Sequence, residues 1–252
     1  AASGISFLGV YVDDGTAYVS AGLSGVLVVD VADPGDTQLL APIDLPGGFN
    51  LTFPVDAFKA GDYLYVADRI NGVHIVNVAD PAEPAPKKVI TLSGARDLYA
   101  SGNYLFAALE GFGLEIVDIS EPENPTEASA YQIDGRERAA KTDGNTAYVG
   151  YNEAGLHVVD ITDPADPVHE TAWQYTATGA KSIALDTVNR FAYITDDRLG
   201  LQKIDIADRA NLTQAAAFDT PADAVSIELS GGYAYITDRA AGGDPAEEGL
   251  RV

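Results

Sequence analysis
The sequence predicts an all-β protein, a β-propeller of four-stranded antiparallel blades with five complete blades and a partial sixth. Three observations predict it. One short hydrophobic strand with its exit turn recurs as VLVVDVADP, VHIVNVADP, LEIVDISEP, LHVVDITDP and LQKIDIADR. Its landmarks keep phase: Gly25, Gly72, Gly113, Gly155 and Gly200 each stand five residues before Asp30, Asn77, Asp118, Asp160 and Asp205, and seven residues after Tyr18, Tyr65, Phe106, Tyr148 and Tyr193. Thirteen residues beyond each Asp or Asn comes a large apolar residue: Ile43, Ile90, Tyr131, Trp173 and Phe218.

Each repeat of about 42 residues reads as four strands, with alternation and β-branched or aromatic enrichment marking the strands and Gly, Asn and Asp-Pro marking the turns. The first strand is a run such as VDAFKA, DLYAS or SIELS. A tight turn at Ala60-Gly61, Ser101-Gly102 or Asp143-Gly144 leads to the second, the aromatic run seen in TAYVSA, YLYVAD and FAYITD. The third is the hydrophobic strand itself, and the fourth ends near the apolar anchor, as in HETAWQY. No segment carries a helical period with caps over three turns. Tight turns suit antiparallel meanders better than the shorter coils of a linear β-solenoid, the other architecture open to such repeats. The expected blades span about 5–46, 54–93, 95–135, 136–179 and 180–221, with a partial blade over 222–252, all in one domain.

Bulk composition narrows the partners. A formal net charge of -23 gives a field that repels nucleic acid and anionic lipid. Part of the acidity belongs to the repeat, which places Asp in its turns; the rest suits an exposed or salty setting. Apolar runs are four to six residues long, so no membrane insertion is expected within this segment. With neither Cys nor Met, a disulfide framework, a thiol nucleophile and a zinc knuckle are excluded, and a start at Ala1 reads as processed or excised.

The strands VLVVDVADP and LHVVDITDP resemble those of the LVIVD repeat family, and the resemblance covers essentially the whole chain. It implies a bacterial or archaeal β-propeller, exported or on the cell surface, and generally without an assigned activity. The departures are informative. Asn77 replaces the repeat Asp in copy two, and Asp208-Arg209 replaces Asp-Pro in copy five. Copy six places Tyr235 in phase, inserts seven residues before Gly249 and stops at Val252 before its fourth strand. A blade left in mid-strand exposes an unpaired ladder, so a continuation or another segment is expected to complete it.

Each candidate site has a structural reading beside the functional one. His74 and His157 share a repeat position where other copies carry Leu27, Glu115, Gln202 and Arg251, which suits a polar strand position better than a common metal ligand; His169 reads as alone in a turn. The Asp-Pro turns at Asp33, Asp80 and Asp163 lack the dense oxygen run of a calcium loop and read as capped turns. Arg96 and Arg138 share a phase in the innermost strands, as do Asp56 and Asp97 in the next, and form the best candidate binding spot at the channel, with salt-bridged blade packing as the plain alternative. Two insertions, 45–53 and 239–248, carry Phe49, Asn50, Arg239, Asp244 and Glu247 and are the expected interaction loops. Asn50 and Asn211 head glycosylation sequons.

The sequence holds no nucleophile elbow, phosphate loop, paired His-Glu motif or dinucleotide fingerprint. It is therefore read as a non-catalytic extracellular or cell-surface propeller, a protein-interaction or structural scaffold without cofactor or metal. Its expected partner is a protein or a second copy of itself, polymerising by strand addition, with a glycan as a further option. The alternative is a propeller hydrolase or lyase with its site at the channel mouth.

Overall fold
A computed structural model describes residues 7–46, 52–132, 137–151, 155–174, 180–196, 198–220, 223–239 and 249–252, with the backbone alone for Glu137, Arg138 and Arg239. The chain carries six blades of β-propeller type, each an antiparallel meander in sequence order. Blade 1 is β1 (Gly9–Asp13), β2 (Thr16–Ser20), β3 (Val26–Asp30) and β4 (Gln38–Ile43). Blade 2 is β5 (Pro54–Ala60), β6 (Tyr63–Asp68), β7 (Gly72–Asn77) and β8 (Ala85–Ile90); blade 3 is β9 (Ala95–Ser101), β10 (Tyr104–Leu109), β11 (Gly113–Asp118) and β12 (Thr126–Tyr131). Blade 4 is β13 (Glu137–Asp143), β14 (Thr146–Tyr151), β15 (Gly155–Asp160) and β16 (Val168–Trp173); blade 5 is β17 (Ala180–Asp186), β18 (Phe191–Asp196), β19 (Gly200–Asp205) and β20 (Thr213–Phe218). Blade 6 has three strands among the described residues, β21 (Asp223–Ser230), β22 (Tyr233–Arg239) and β23 (Gly249–Arg251). Five complete blades and a partial sixth are what the repeat predicted.

The chain divides into two compact units, 1–110 with 115–128, and 111–114 with 129–252. Blades 1 to 3 belong to the first, apart from short pieces of β11 and β12, and blades 4 to 6 to the second. Within a unit, each blade packs one face on the blade before it, here its leading face, and the other on the blade after it, its trailing face. In the first unit Tyr18, Val26 and Val28 of blade 1 bury against Ala57, Leu64 and Val66 of blade 2. Tyr65, Val73 and Ile75 of blade 2 then bury against Leu98, Leu105 and Ala107 of blade 3. The second unit repeats the scheme, with Tyr148, Leu156 and Val158 against Ile183, Ala192 and Ile194. The strict alternation along each strand is thus used on both faces wherever a blade lies between two others of its unit, as blades 2 and 5 do.

The repeat glycine has a double reason. Gly25, Gly72, Gly113, Gly155 and Gly200 all have positive φ, between 63 and 112°. A Cβ on any of them would land within 3.0 Å of the carbonyl oxygen of Ile43, Ile90, Tyr131, Trp173 or Phe218 respectively. These are the apolar anchors of the fourth strand, so the fixed spacing from glycine to anchor records a backbone-to-backbone approach that a side chain would block.

The repeat carboxylate closes the other end of the third strand. Asp30, Asp118, Asp160 and Asp205 each accept a hydrogen bond through Oδ1 from the backbone N–H two residues on, at 2.8–2.9 Å, and Asn77 does the same at 3.1 Å. The next turn repeats the device: Asp33, Asp80, Asp163 and Asp208 accept from Gly35, Ala82, Ala165 and Ala210. The Asp-Pro segments are therefore capped turns. Asp208 keeps its cap without the proline, and Arg209 in the proline's place reaches the Thr146 hydroxyl on the neighbouring blade.

Two predictions follow from these contacts. Gly155→Ala should lower the unfolding free energy by more than about 3 kcal/mol, since strain and collision add. Gly102→Ala, at φ 57° with nothing within 4 Å of its Cβ, should cost only about 1 kcal/mol. Asn77→Asp should be neutral to within about 0.5 kcal/mol, and Asn77→Ala should cost about 1 kcal/mol, because the turn needs an acceptor and not a charge. Urea titration of the full chain checks all four.

Candidate functional site
The innermost strands β5, β9, β13, β17 and β21 share a register shift against their neighbours, which makes Val55, Arg96, Arg138, Lys181 and Val225 bulge residues. A bulge leaves one residue out of the ladder and re-aims its side chain. The common phase of Arg96 and Arg138 is thus a shared bulge, and Asp56 and Asp97 are the next residues, paired with Ala67 and Ala108.

In the first unit this arrangement builds a charged cluster. Arg96 forms an ion pair with Glu110 on the following turn of its own blade. Arg69, from the turn after β6 in blade 2, approaches the same carboxylate at 3.3 Å, so one Glu is held between two guanidinium groups. Backbone bonds align the three: Arg69 O accepts from Gly94 N at 3.1 Å, and Gly94 O accepts from Glu110 N at 2.9 Å. The Asp56 carboxylate accepts from Leu98 N at 2.9 Å, tying the inner strand of blade 2 to that of blade 3. Of the four residues singled out in the sequence, Asp56 and Arg96 are therefore committed to blade-to-blade and blade-to-turn contacts. Asp97 lies beside Arg96 at the bulge, and the Arg138 side chain lies outside the described residues.

A second polar set lies on the leading faces, at a position that sequence reasoning missed. Three residues beyond the aromatic anchor, Asp68, Asp196 and Asp238 are buried at the end of the second strand. Asp68 Oδ1 accepts from Ile70 N and Asn71 N, and Oδ2 accepts from Asn71 Nδ2 and meets His74 Nε2 at 3.1 Å. Asp196 accepts from Arg198 N and Leu199 N, and Asp238 accepts from Arg251 Nε at 2.9 Å. The signal was present as Asp68-Arg69 and Asp238-Arg239, in one phase. It was hidden because half of the blades carry Ala21, Leu109 and Tyr151 there instead.

Burial alone would raise the Asp68 carboxyl, but the bonds from His74, Asn71 and two backbone N–H groups outweigh it and hold the group well below the usual carboxylate range. Glu115, at the His74 position of blade 3, goes the other way, raised by burial and by the charge of Glu127. The phenols of Tyr65 and Tyr131 are pushed up to about 12 by burial.

His157 occupies the His74 position in blade 4 and is buried. Its ring lies 4.8 Å from that of Tyr151 and 5.2 Å from that of His169. His169 is not in a turn, as its sequence surroundings suggested, but on β16, opposite Val159. The Asp-Pro signal upstream belongs to the capped turn, after which Val168 and His169 enter the ladder opposite Asp160 and Val159, ahead of a bulge at Glu170. Among the described residues no group of three or more His, Cys, Asp or Glu is placed to hold a metal ion. Of the expected interaction loops, Phe49, Asn50, Asp244 and Glu247 lie outside the described residues; Arg239 has its backbone in β22, paired with Asp223. Asn211 is exposed in the capped turn that opens at Asp208.

Comparison with known proteins agrees with this construction. The family model for the LVIVD repeat matches residues 60–90, 94–133, 138–171, 180–220 and 221–242. The chain belongs to the LVIVD repeat family. Among solved structures, this LVIVD repeat protein is similar to the computationally designed Ika8 protein, at 10% identity with a TM-score of 0.69, over 93% of this chain and 68% of that one. It is also similar to a functionally unknown protein from Desulfotomaculum acetoxidans DSM 771, at 15% identity and a TM-score of 0.69, over 84% of this chain and 71% of that one. At such identities the likeness is one of fold. No match was found among curated proteins.

The buried Asp68 carboxylate makes the stability of the fold depend on pH. Its folded value is depressed, so its stabilisation is complete above the unfolded value near pH 4 and is lost as the pH falls through the lower folded value. The difference in unfolding free energy between wild type and Asp68→Asn should be flat above about pH 4 and shrink below it. Asp68→Ala should cost about 3 kcal/mol at neutral pH by leaving His74 and the turn N–H groups without their acceptor. Urea midpoints measured from pH 2 to pH 8 check both.

Proposed function
We propose that this LVIVD repeat protein is a non-catalytic scaffold of the cell surface or extracellular space, which binds a protein partner through surfaces carried on its rigid blades. The observation that carries the reading is what the recurring polar residues do. The Asp or Asn closing the third strand of blades 1 to 5 is engaged by a backbone N–H group, as is the Asp of the following turn in blades 1, 2, 4 and 5. The Arg96 and Arg69 guanidiniums meet one carboxylate, and Asp56 holds the next blade. Polar groups that recur with the fold are thus committed to building it. A net charge of -23 further suits a hydrated, exposed surface. Among the described residues no helix is long and apolar enough to cross a membrane. The sequon at Asn211 adds an exposed acceptor for a glycan.

The test has two arms. The full chain should give no turnover above a heat-denatured control on ester, lactone and glycoside panels, with and without added divalent cations. Protease shaving of intact source cells should digest the protein while a cytoplasmic marker survives. Turnover that follows the folded protein, or protection equal to the marker, would overturn the reading.

A further inference from the structure
The interface between blades 1 and 2 buries two polar atoms that the packing of side chains leaves unanswered. Ser20 is fully buried at the end of β2, and His74 on β7 is 1% exposed. Neither Ser20 Oγ nor His74 Nδ1 has a hydrogen-bonding partner among the described residues. A buried donor or acceptor left dry forfeits its whole hydration, so folded proteins rarely leave one so. The other ring nitrogen of His74, Nε2, meets Asp68 Oδ2 at 3.1 Å. An ionised carboxylate only accepts, so Nε2 donates to it, and Nδ1 of the neutral ring is then an acceptor.

Register brings both atoms to one corner of the interface. Ser20 stands two residues beyond the aromatic anchor, and the same position in blade 4 is Gly150. A Cβ on Gly150 would meet Ala180 at the start of the next blade, and Ala180 pairs with Asp196. The residue of that register in blade 2 is Pro54, which pairs with Asp68. Gly9, directly opposite Ser20, lies against Val55 O and Asp56 Cα in the same way. Ser20 thus faces the end of the β5–β6 pair at which Asp68 holds His74. The chemistry of the two sides also varies together. Ser20 and Thr195, both fully buried, precede blades that carry a buried carboxylate here, Asp68 and Asp238, whereas Ala67 precedes Leu109. Gly150 precedes Asp196, but there the blades approach too closely for any side chain.

We propose that this corner is a binding site for one ordered water molecule, which bridges Ser20 Oγ to His74 Nδ1 and so ties blade 1 to the Asp68–His74 pair of blade 2. Water is the ligand because it supplies what both atoms need, a donor for the imidazole nitrogen and either role for the hydroxyl. An anion would meet the Asp68 carboxylate, and a divalent ion would need more ligands than the described residues bring together. The bridge gives a buried pair on one blade a hold on its neighbour that neither side chain has by direct contact. It needs no partner protein, so it stands apart from the scaffold reading.

The experiment pairs a crystal structure of the full chain, at a resolution that shows ordered solvent, with a double-mutant cycle of Ser20→Ala and His74→Leu read by urea titration. Each substitution installs a residue that another blade carries at that position, as Ala67 and Leu27. The density should show a water within about 3.2 Å of both Ser20 Oγ and His74 Nδ1. Side chains with no shared partner would multiply in their effects on the unfolding constant to within about twofold, whereas a bridge should make the combined effect smaller than the product by at least about threefold. A corner filled by a protein group, density that reaches only one of the two atoms, or effects that simply multiply would each overturn the proposal. Should His74→Leu not fold, magnetic relaxation dispersion of the water oxygen nuclei replaces the cycle, on wild type and Ser20→Val, which has the shape of Thr195. The variant should hold one long-lived water fewer, and an equal number would overturn the proposal.

Discussion
The close approach of one glycine to one carbonyl oxygen sets the geometry of every blade. In each complete repeat the chain enters its third strand through a positive-φ glycine, and the fourth strand returns so near that its carbonyl fills the space a Cβ would need. Two independent demands fall on one residue, a left-handed backbone and an absent side chain, and only glycine meets both. Once that corner is fixed, the residue after it is committed to the trailing face, the next to the leading face, and the aromatic seven residues earlier to the trailing face as well. The hydrophobic pattern then has a single register in which both faces are apolar, and a slip by one residue would turn every core side chain around.

The acidity of the chain looks different once the turns are seen. Acidic side chains at the exit of the third strand serve as acceptors for backbone N–H groups that have no strand partner, a role set by oxygen geometry more than by charge. Asn77 substitutes without disturbing the turn because its Oδ1 sits where an Asp oxygen would. Arg209 is tolerated after Asp208 for a related reason: the cap comes from the Asp side chain, and proline only narrows the φ of a turn that forms anyway. The carboxylates of Asp118 and Asp160 lie below their ordinary range because Ser120 and Thr162 donate to them through hydroxyl and backbone N–H. They remain ionised as they do this work, and the negative field of the surface follows from the chemistry of its turns.

The fold was legible because its determinants are local and repeated: a glycine, an Asp-Pro step and an aromatic at constant spacing are read along the chain without knowing which blades touch. The candidate site was only half legible. Shared phase brought Arg96 and Arg138 to notice, yet their phase is that of a bulge, and a bulge leaves no mark on a single repeat because it depends on the partner strand's register. Glu110, the carboxylate that Arg96 meets, could not be named from the sequence because nothing in its own copy distinguishes it from other turn acids. Asp68, Asp196 and Asp238 escaped for the opposite reason. A carboxylate at the end of an apolar run reads as the start of a loop, whereas the turn folds back over it and buries it beneath its own N–H groups.

The two variable positions on the leading face change together, and that joint change explains why the repeat tolerates such different residues. The end of the second strand and the second residue after the glycine lie diagonally across neighbouring strands. Asp68 is matched with His74 and Asp238 with Arg251, so a buried carboxylate is met by a side chain that can donate to it. Asp196 is served by turn N–H groups, and Gln202 beside it instead bonds Leu199 O and the Gln214 side chain. Where the first position is aromatic, as at Tyr151, the second is His157 in ring contact with it, and where it is Ala21 the second is Leu27. Blade 3 pairs Leu109 with Glu115, a carboxyl that faces an apolar side chain across the diagonal, and burial together with the charge of Glu127 raises its pKa. The variation is what a fixed backbone permits when each blade satisfies its own buried pair. A ligand shared by several blades would instead have imposed one residue type on all of them.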